Sequence, residues 1–146
     1  MLRVDADDLD EQFTAGGSRI IVFDDKPLTG VAYEMNELGN LWTEQAYEDG
    51  VLSGVSRDWH LNGQLQSETD YRWNRVHGHN RKWFENGQLK SDALVELGYI
   101  IRKQEWDEQG NLIKEYHIES DAWSRDLLES ERRMFKKKGL DYKMVE

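Results

Sequence analysis

Four carboxylates recur along the chain at a fixed offset, five residues after a glycine: Glu44, Glu68, Asp92 and Glu115. Carboxylates held in pairs do acid–base work, and carboxylates held in a row imitate a nucleic-acid backbone or grip a basic protein. Equivalent side chains on neighbouring hairpins would lie about 10 Å apart, twice the spacing between strands. That is too far for a retaining glycosidase pair, and no pocket is implied between them. The histidines His77 and His79, in "HGH", offer two metal ligands, but the sequence places no third beside them. With no cysteine in the chain, thiolate sites, thiol nucleophiles and disulfides are excluded. No nucleophile-elbow or phosphate-cradling glycine pattern is present. The reading is therefore not an enzyme, with no catalytic residue, no cofactor and no metal.

The glycines that precede these carboxylates define the elements that must carry them. Gly39, Gly63, Gly87 and Gly110 are separated by 24, 24 and 23 residues. Gly30, Gly54 and Gly78 keep the same step, as do Gly50, Asn74 and Gly98, where Asn is the usual substitute for Gly at positive φ. Apolar columns agree: Leu41, Leu65, Leu89 and Leu112 follow each turn glycine, and Met35, Trp59, Trp83 and Trp106 precede it. "WHLNGQLQ" at 59–66 and "WFENGQLK" at 83–90 are the clearest copies. An Asn-Gly step between short apolar runs signals a β-hairpin. The expected fold is mostly β: a single-layer antiparallel sheet of stacked hairpins about 24 residues long, covering residues 18–119. "RIIVF" at 19–23 supplies a preceding half unit.

The turn decides which side chains share a face. A three-residue loop with Gly63 in the left-handed region puts Trp59 and Leu65 together. The expectation is then one apolar face carrying Val55, Trp59, Leu65 and Tyr71. The other is acidic and carries Glu44, Glu48, Asp58, Glu68, Asp70, Asp92, Glu96 and Glu115, relieved by Arg72, Lys82 and Lys90. A sheet with one apolar face needs a cover, and the C-terminal segment is expected either to lie along that face or to close one end of the sheet. Residues 120–146 supply a C-terminal amphipathic helix and tail, with Trp123, Leu127 and Met134 as its stripe, Leu128 and Phe135 beside it, Ser120 or Asp121 as cap and Gly139 as stop. Residues 1–17 read as an acidic N-terminal arm, forming either a short strand or a loose segment.

The units "GVSRDWHLNGQLQSETDY" and "GHNRKWFENGQLKSDALV", with the lead-in "KPLTGVAYE", resemble the variant MORN repeats of bacterial antitoxin and immunity-type proteins. That resemblance spans roughly residues 18–119 and departs from the pattern at Arg102, where the linking glycine is lost. It implies an elongated sheet of hairpins that binds another protein, in several bacterial cases a toxin that it neutralises, and it brings no catalytic residues.

Composition narrows the partner. Net charge is −10, which disfavours nucleic acid and anionic membranes and favours a basic protein. The acidic N-terminus lacks a signal-peptide core and no stretch is long enough to span a bilayer, so the expected location is cytoplasmic. The expected partner is a basic toxin domain, with the chain a monomer or weak dimer without it. The docking surface is expected at Glu44, Glu68, Asp70 and Asp92, with Trp42 and Trp73 as exposed anchors or else packed beneath the N-terminal arm. A general protein scaffold without a toxin partner is the alternative.

Overall fold

A computed structural model describes residues 1–140. The repeat forms one long sheet. Its strands are β1 (Arg3–Asp5), β5 (Gly30–Met35), β6 (Leu41–Glu48), β8 (Gly54–Trp59), β9 (Leu65–Arg72), β10 (Arg75–Trp83), β11 (Leu89–Glu96), β12 (Tyr99–Trp106) and β13 (Leu112–His117), in that spatial order, with the short β7 (Val51–Leu52) beside β6. Every pairing is antiparallel except that of β1 with β5. A second sheet holds β2 (Asp10–Phe13), β3 (Arg19–Phe23) and β4 (Lys26–Pro27).

Each hairpin closes in the same way. Gly63 donates its N–H to the carbonyl of His60 (2.9 Å), and His60 donates to the carbonyl of Gln64 (2.8 Å). The loop is thus Leu61-Asn62-Gly63, with Gly63 at φ 86°, the three-residue turn expected from the sequence. The same pair of bonds recurs at Asn36–Asn40, Phe84–Gln88 and Asp107–Asn111. Side chains tie the turns to one another: Asn62 Nδ2 donates to the Glu85 carbonyl (2.9 Å), and His60 Nε2 lies 2.9 Å from the Trp83 carbonyl oxygen.

The opposite ends of the hairpins are joined by two-residue turns. Asp49-Gly50, Trp73-Asn74 and Leu97-Gly98 all have positive φ at both positions, as a primed turn requires. Asn74, at φ 62°, fills the glycine role assigned to it. Trp73 and Leu97 are bulky residues in a conformation few L-residues adopt, so something must hold them there.

One device was not anticipated. In each hairpin the register slips by one residue just past the turn: Asp58 faces Ser67, yet Trp59 faces Leu65, which leaves Gln66 unopposed. Trp42, Lys90 and Ile113 are the equivalent extra residues. Such a bulge flips the side-chain alternation on its strand.

Two small cores pack at the two-residue-turn end. Val4, Leu28 and Ala32 form one, joined by Leu9, Ile21, Phe23 and Tyr47. Leu97, Ile118 and Leu128 form the other, joined by Tyr99, Ile101, Tyr116 and Phe135. Residues 1–17, the acidic N-terminal segment, are divided between the sheets, β1 lying along β5 and β2 along β3. "RIIVF" is β3 of the small sheet rather than a half unit of the array, although Phe23 and Tyr47 do share a core.

Helix α1 (Ala122–Lys137) starts where Asp121 Oδ1 accepts from the Ser124 N–H (3.1 Å) and Oδ2 from its hydroxyl (2.7 Å), and Gly139 follows at φ 64°. Its buried stripe is not the expected one. Trp123 (74% exposed) and Met134 face water, while Leu128 and Phe135 face the sheet. Ion pairs set this rotation. Arg132 donates from Nε and Nη2 to both oxygens of Glu96 (2.8 and 2.7 Å), and Arg75 binds Glu131 (3.0 Å). Leu128, Glu131, Arg132 and Phe135 follow i, i+3, i+4, i+7 spacing and so lie on one side of the helix. The bidentate partner, with Glu129 beside it, raises the already high pKa of Arg132.

Candidate interaction surface

The bulge changes what the carboxylate column is. Residues opposite one another in register share a face. Across the sheet the pairs run Glu44–Arg57, Arg57–Glu68, Glu68–Arg81, Arg81–Asp92, Asp92–Gln104 and Gln104–Glu115. The expected anionic strip is therefore a ladder of alternating sign. It also stands on the face that carries Trp59, because Arg57 and Trp59 are two residues apart on β8. Asp58 lies on the opposite face, and Glu96 is 1% exposed beneath α1. The division into an apolar and an acidic face is corrected accordingly: the extra residue at 66 reverses the parity of everything after Leu65.

Most rungs of the ladder are engaged. Arg3 binds Glu44, Arg57 Nε donates to Glu68 (2.9 Å), and Gln104 Nε2 donates to Glu115 (2.7 Å). Asp92 is held more loosely, 3.5 Å from Arg81 Nε and 3.6 Å from His79 Nδ1. Asp70 accepts the backbone N–H of His79 (2.8 Å). A Cβ on Gly78 would lie 2.6 Å from the Asp70 carboxylate, so this contact requires glycine. The "HGH" histidines are occupied structurally as well, since His77 Nδ1 accepts from the Leu97 N–H (3.0 Å).

The two tryptophans separate. Trp73 is held by the helix end of the molecule: the Arg72 guanidinium lies 4.1 Å over its ring, Phe135 packs at 5.2 Å and His77 at 6.4 Å. Its cover is α1, not the N-terminal segment. Trp42, an extra residue of the first bulge, is 47% exposed. It lines a groove of about 870 Å³ across the Asn-Gly-turn end of the sheet. Thr43, Asp58, Ser67 and Lys82, one row in register, form part of the wall, with His60, Phe84, Glu85, Lys90 and Glu108 around it. Asp58 accepts from the Ser67 hydroxyl (2.5 Å), and Lys90 Nζ stands 5.3 Å from the centre of the Phe84 ring. At the far edge, a hydrogen bond from Lys103 (2.6 Å) holds the Glu105 carboxyl below its ordinary range.

Two stretches of the chain, residues 52–72 and 76–95, match the MORN repeat variant family. They coincide with β8–β9 and β10–β11, the two hairpins that build the middle of the ladder and the groove. MORN repeats generally mediate binding to proteins or membranes and form a non-enzymatic fold. No curated protein and no solved structure gives a significant match to the chain. No helix among the described residues is long and apolar enough to cross a membrane.

The sequence already groups Asp58, Lys82 and Lys90 on one face; it does not single out His60 and Phe84 for the groove or the arginines of the ladder. The Arg signal was present: Arg57 and Arg81 keep the 24-residue step, and the lost residue in the last unit brings Gln104 into the same row.

Proposed function

We propose that this chain is a protein-binding repeat protein that seats its partner in the groove at the Asn-Gly-turn end, with Trp42 as the central anchor. The observation that carries this reading is the half-exposed indole of Trp42 in a concave surface shared by several hairpins, which Phe84 also lines. An aromatic anchor in a groove with a polar rim is the usual composition of a binding hot spot. The net charge of −10 and the rim carboxylates Glu85 and Glu108 favour a basic partner over nucleic acid. The finer reading is an immunity or antitoxin role, in which the seated partner is a toxin domain whose active surface becomes blocked. It draws on the sequence resemblance together with this charge. In that reading Glu44, Glu68 and Asp92 act as ladder rungs that fix the sheet's shape, and Asp70 and Trp73 hold its turns.

Affinity purification from the native cell, with wild type and with Trp42→Ala/Phe84→Ala, tests the binding reading. A co-purifying protein lost from the double variant is expected, and a partner retained undiminished would overturn the groove. The toxin reading predicts that this partner, expressed alone, arrests growth and that co-expression of the chain restores it. A harmless partner leaves the scaffold alternative standing.

A further inference from the structure

The last strand of the sheet, β13, has a neighbour on one side only, β12. Among the described residues nothing pairs with its other side. Leu112, Ile113, Lys114, Glu115 and His117 are exposed, and only Tyr116 is half-buried. Exposed strand edges present unpaired N–H and C=O groups to other chains, and proteins commonly blunt them. Helix α1 follows β13 but packs against the turns at Trp73 and Leu97 rather than along this strand.

We propose that the β13 edge accepts an extended strand from a partner protein. This strand continues the sheet antiparallel, with a basic residue opposite Glu115 and an acidic residue opposite Lys114. Three observations carry this. First, the ladder stops unfinished. Glu44, Glu68 and Asp92 each have arginine in register or in contact, whereas Glu115 has only the neutral Gln104. On the other face Lys114 stands opposite Glu105 and has no further neighbour in its row. An added strand with the stated charges extends both rows by their own rule, and opposite charges in register favour pairing.

Second, a copy of the same strand fits badly. Two identical antiparallel strands related by a two-fold axis normal to the sheet pair residues that share a face. The two registers with the greatest overlap then set Lys114 against Lys114 or Glu115 against Glu115. Like charges directly opposite are destabilising. The edge therefore selects a different chain over a second copy of this one.

Third, a cleft of about 490 Å³ lies over the last two strands, lined by Tyr99 and Lys103 of β12, Lys114 and Tyr116 of β13, and Trp123 and Leu127 of α1. The residue opposite Tyr116 would share this face and stand at the rim of the cleft, and the exposed indole of Trp123 gives it an apolar wall. Read from its N-terminus, the added strand is apolar, basic, acidic at the three positions facing Tyr116, Glu115 and Lys114. Ser56-Arg57-Asp58 of this chain already has the two charges in that order, with Arg57 in register with Glu44 and Glu68.

The hexapeptide of residues 54–59 carrying S56L is accordingly the probe. Titrated at millimolar concentration into the full-length protein, it is expected to shift the backbone amide resonances of residues 112–117. The same peptide also carrying R57E and D58K should bind about three- to tenfold more weakly. The protein variant K114E/E115K should reverse the preference, taking the charge-swapped peptide over the original. Unperturbed amide shifts in β8–β11 confirm that this variant is folded. Shifts absent from 112–117, or equal affinity for both peptides, overturn the proposal. Concentration-dependent shifts at 112–117 without peptide would assign the edge to a second copy and overturn it equally. The proposal stands or falls independently of the groove and of any toxin.

Discussion

The two ends of the hairpins are built from the same repeat and have opposite fates. At the two-residue-turn end, Trp73 and Leu97 point bulky apolar side chains out of left-handed turns, and α1 lies over them. At the Asn-Gly-turn end, Asn62 and His60 bind the next turn, and the surface between is left open around Trp42. The difference teaches that a single-layer sheet need not be covered along its whole face. Covering one end with a helix and a small sheet supplies the cores, and the other end stays open, where the proposed partner would sit. Ring exposure alone does not distinguish the ends, because Trp42 and Trp73 are 47% and 36% exposed. What separates them is the company each ring keeps.

The largest effect should come from breaking the clamp at the covered end. Arg132→Ala leaves Glu96 buried without its bidentate partner. Removing one member of a buried pair costs roughly 3–5 kcal/mol. Urea unfolding should show a loss of that size, and a loss below about 1 kcal/mol would mean that the helix is not held by this contact. A smaller loss is expected at Gly78→Ala. The new methyl group meets Asp70 at φ 128°, and strain of this kind costs roughly 1–3 kcal/mol. Gly78→Ala/Asp70→Ala should recover part of it in a double-mutant cycle. Simple additivity would show that the close approach to Asp70 is not the cause.

The smallest effect at the covered end is one of pH. Hydrogen bonds from the Ser124 hydroxyl and N–H hold the Asp121 carboxyl below its ordinary range. Its pKa is lower folded than unfolded, so its contribution is complete above the unfolded value, about 4, and is lost as pH falls through the depressed folded value. Asp121→Asn should therefore flatten the acid limb of the stability–pH curve below about pH 4 while leaving its slope near neutrality unchanged. An unaltered acid limb would show that the cap does not contribute.

Much of the repeat could be read before any coordinates. The turn glycines, the three-residue loop, the left-handed Asn74 and the capped helix all follow from residues with strong local preferences. The bulge could not be read. Its four residues, Trp42, Gln66, Lys90 and Ile113, share no chemistry, and a one-residue slip reverses every later side chain. That single hidden residue turned an alternating ladder into an apparent acidic face. The helix stripe was misread for a related reason. Trp123, Leu127 and Met134 satisfy helical spacing as well as Leu128 and Phe135 do, and the choice between them was made by Glu96 and Arg75 far away in sequence. That the strands at 10–13 and 19–23 form a separate sheet was not legible, because Asp10–Phe13 is exposed along its length and carries no apolar alternation.

The division of labour between the ends is tested most directly by removing one indole from each and measuring unfolding free energy side by side. Trp73→Ala removes the ring that Arg72 and Phe135 pack against, and should lower stability by about 1–2 kcal/mol. Trp42→Ala should change stability by less than about 0.5 kcal/mol, as expected of a surface residue kept for a partner. Equal losses at the two positions would mean that Trp42 serves the fold, and would contradict the account.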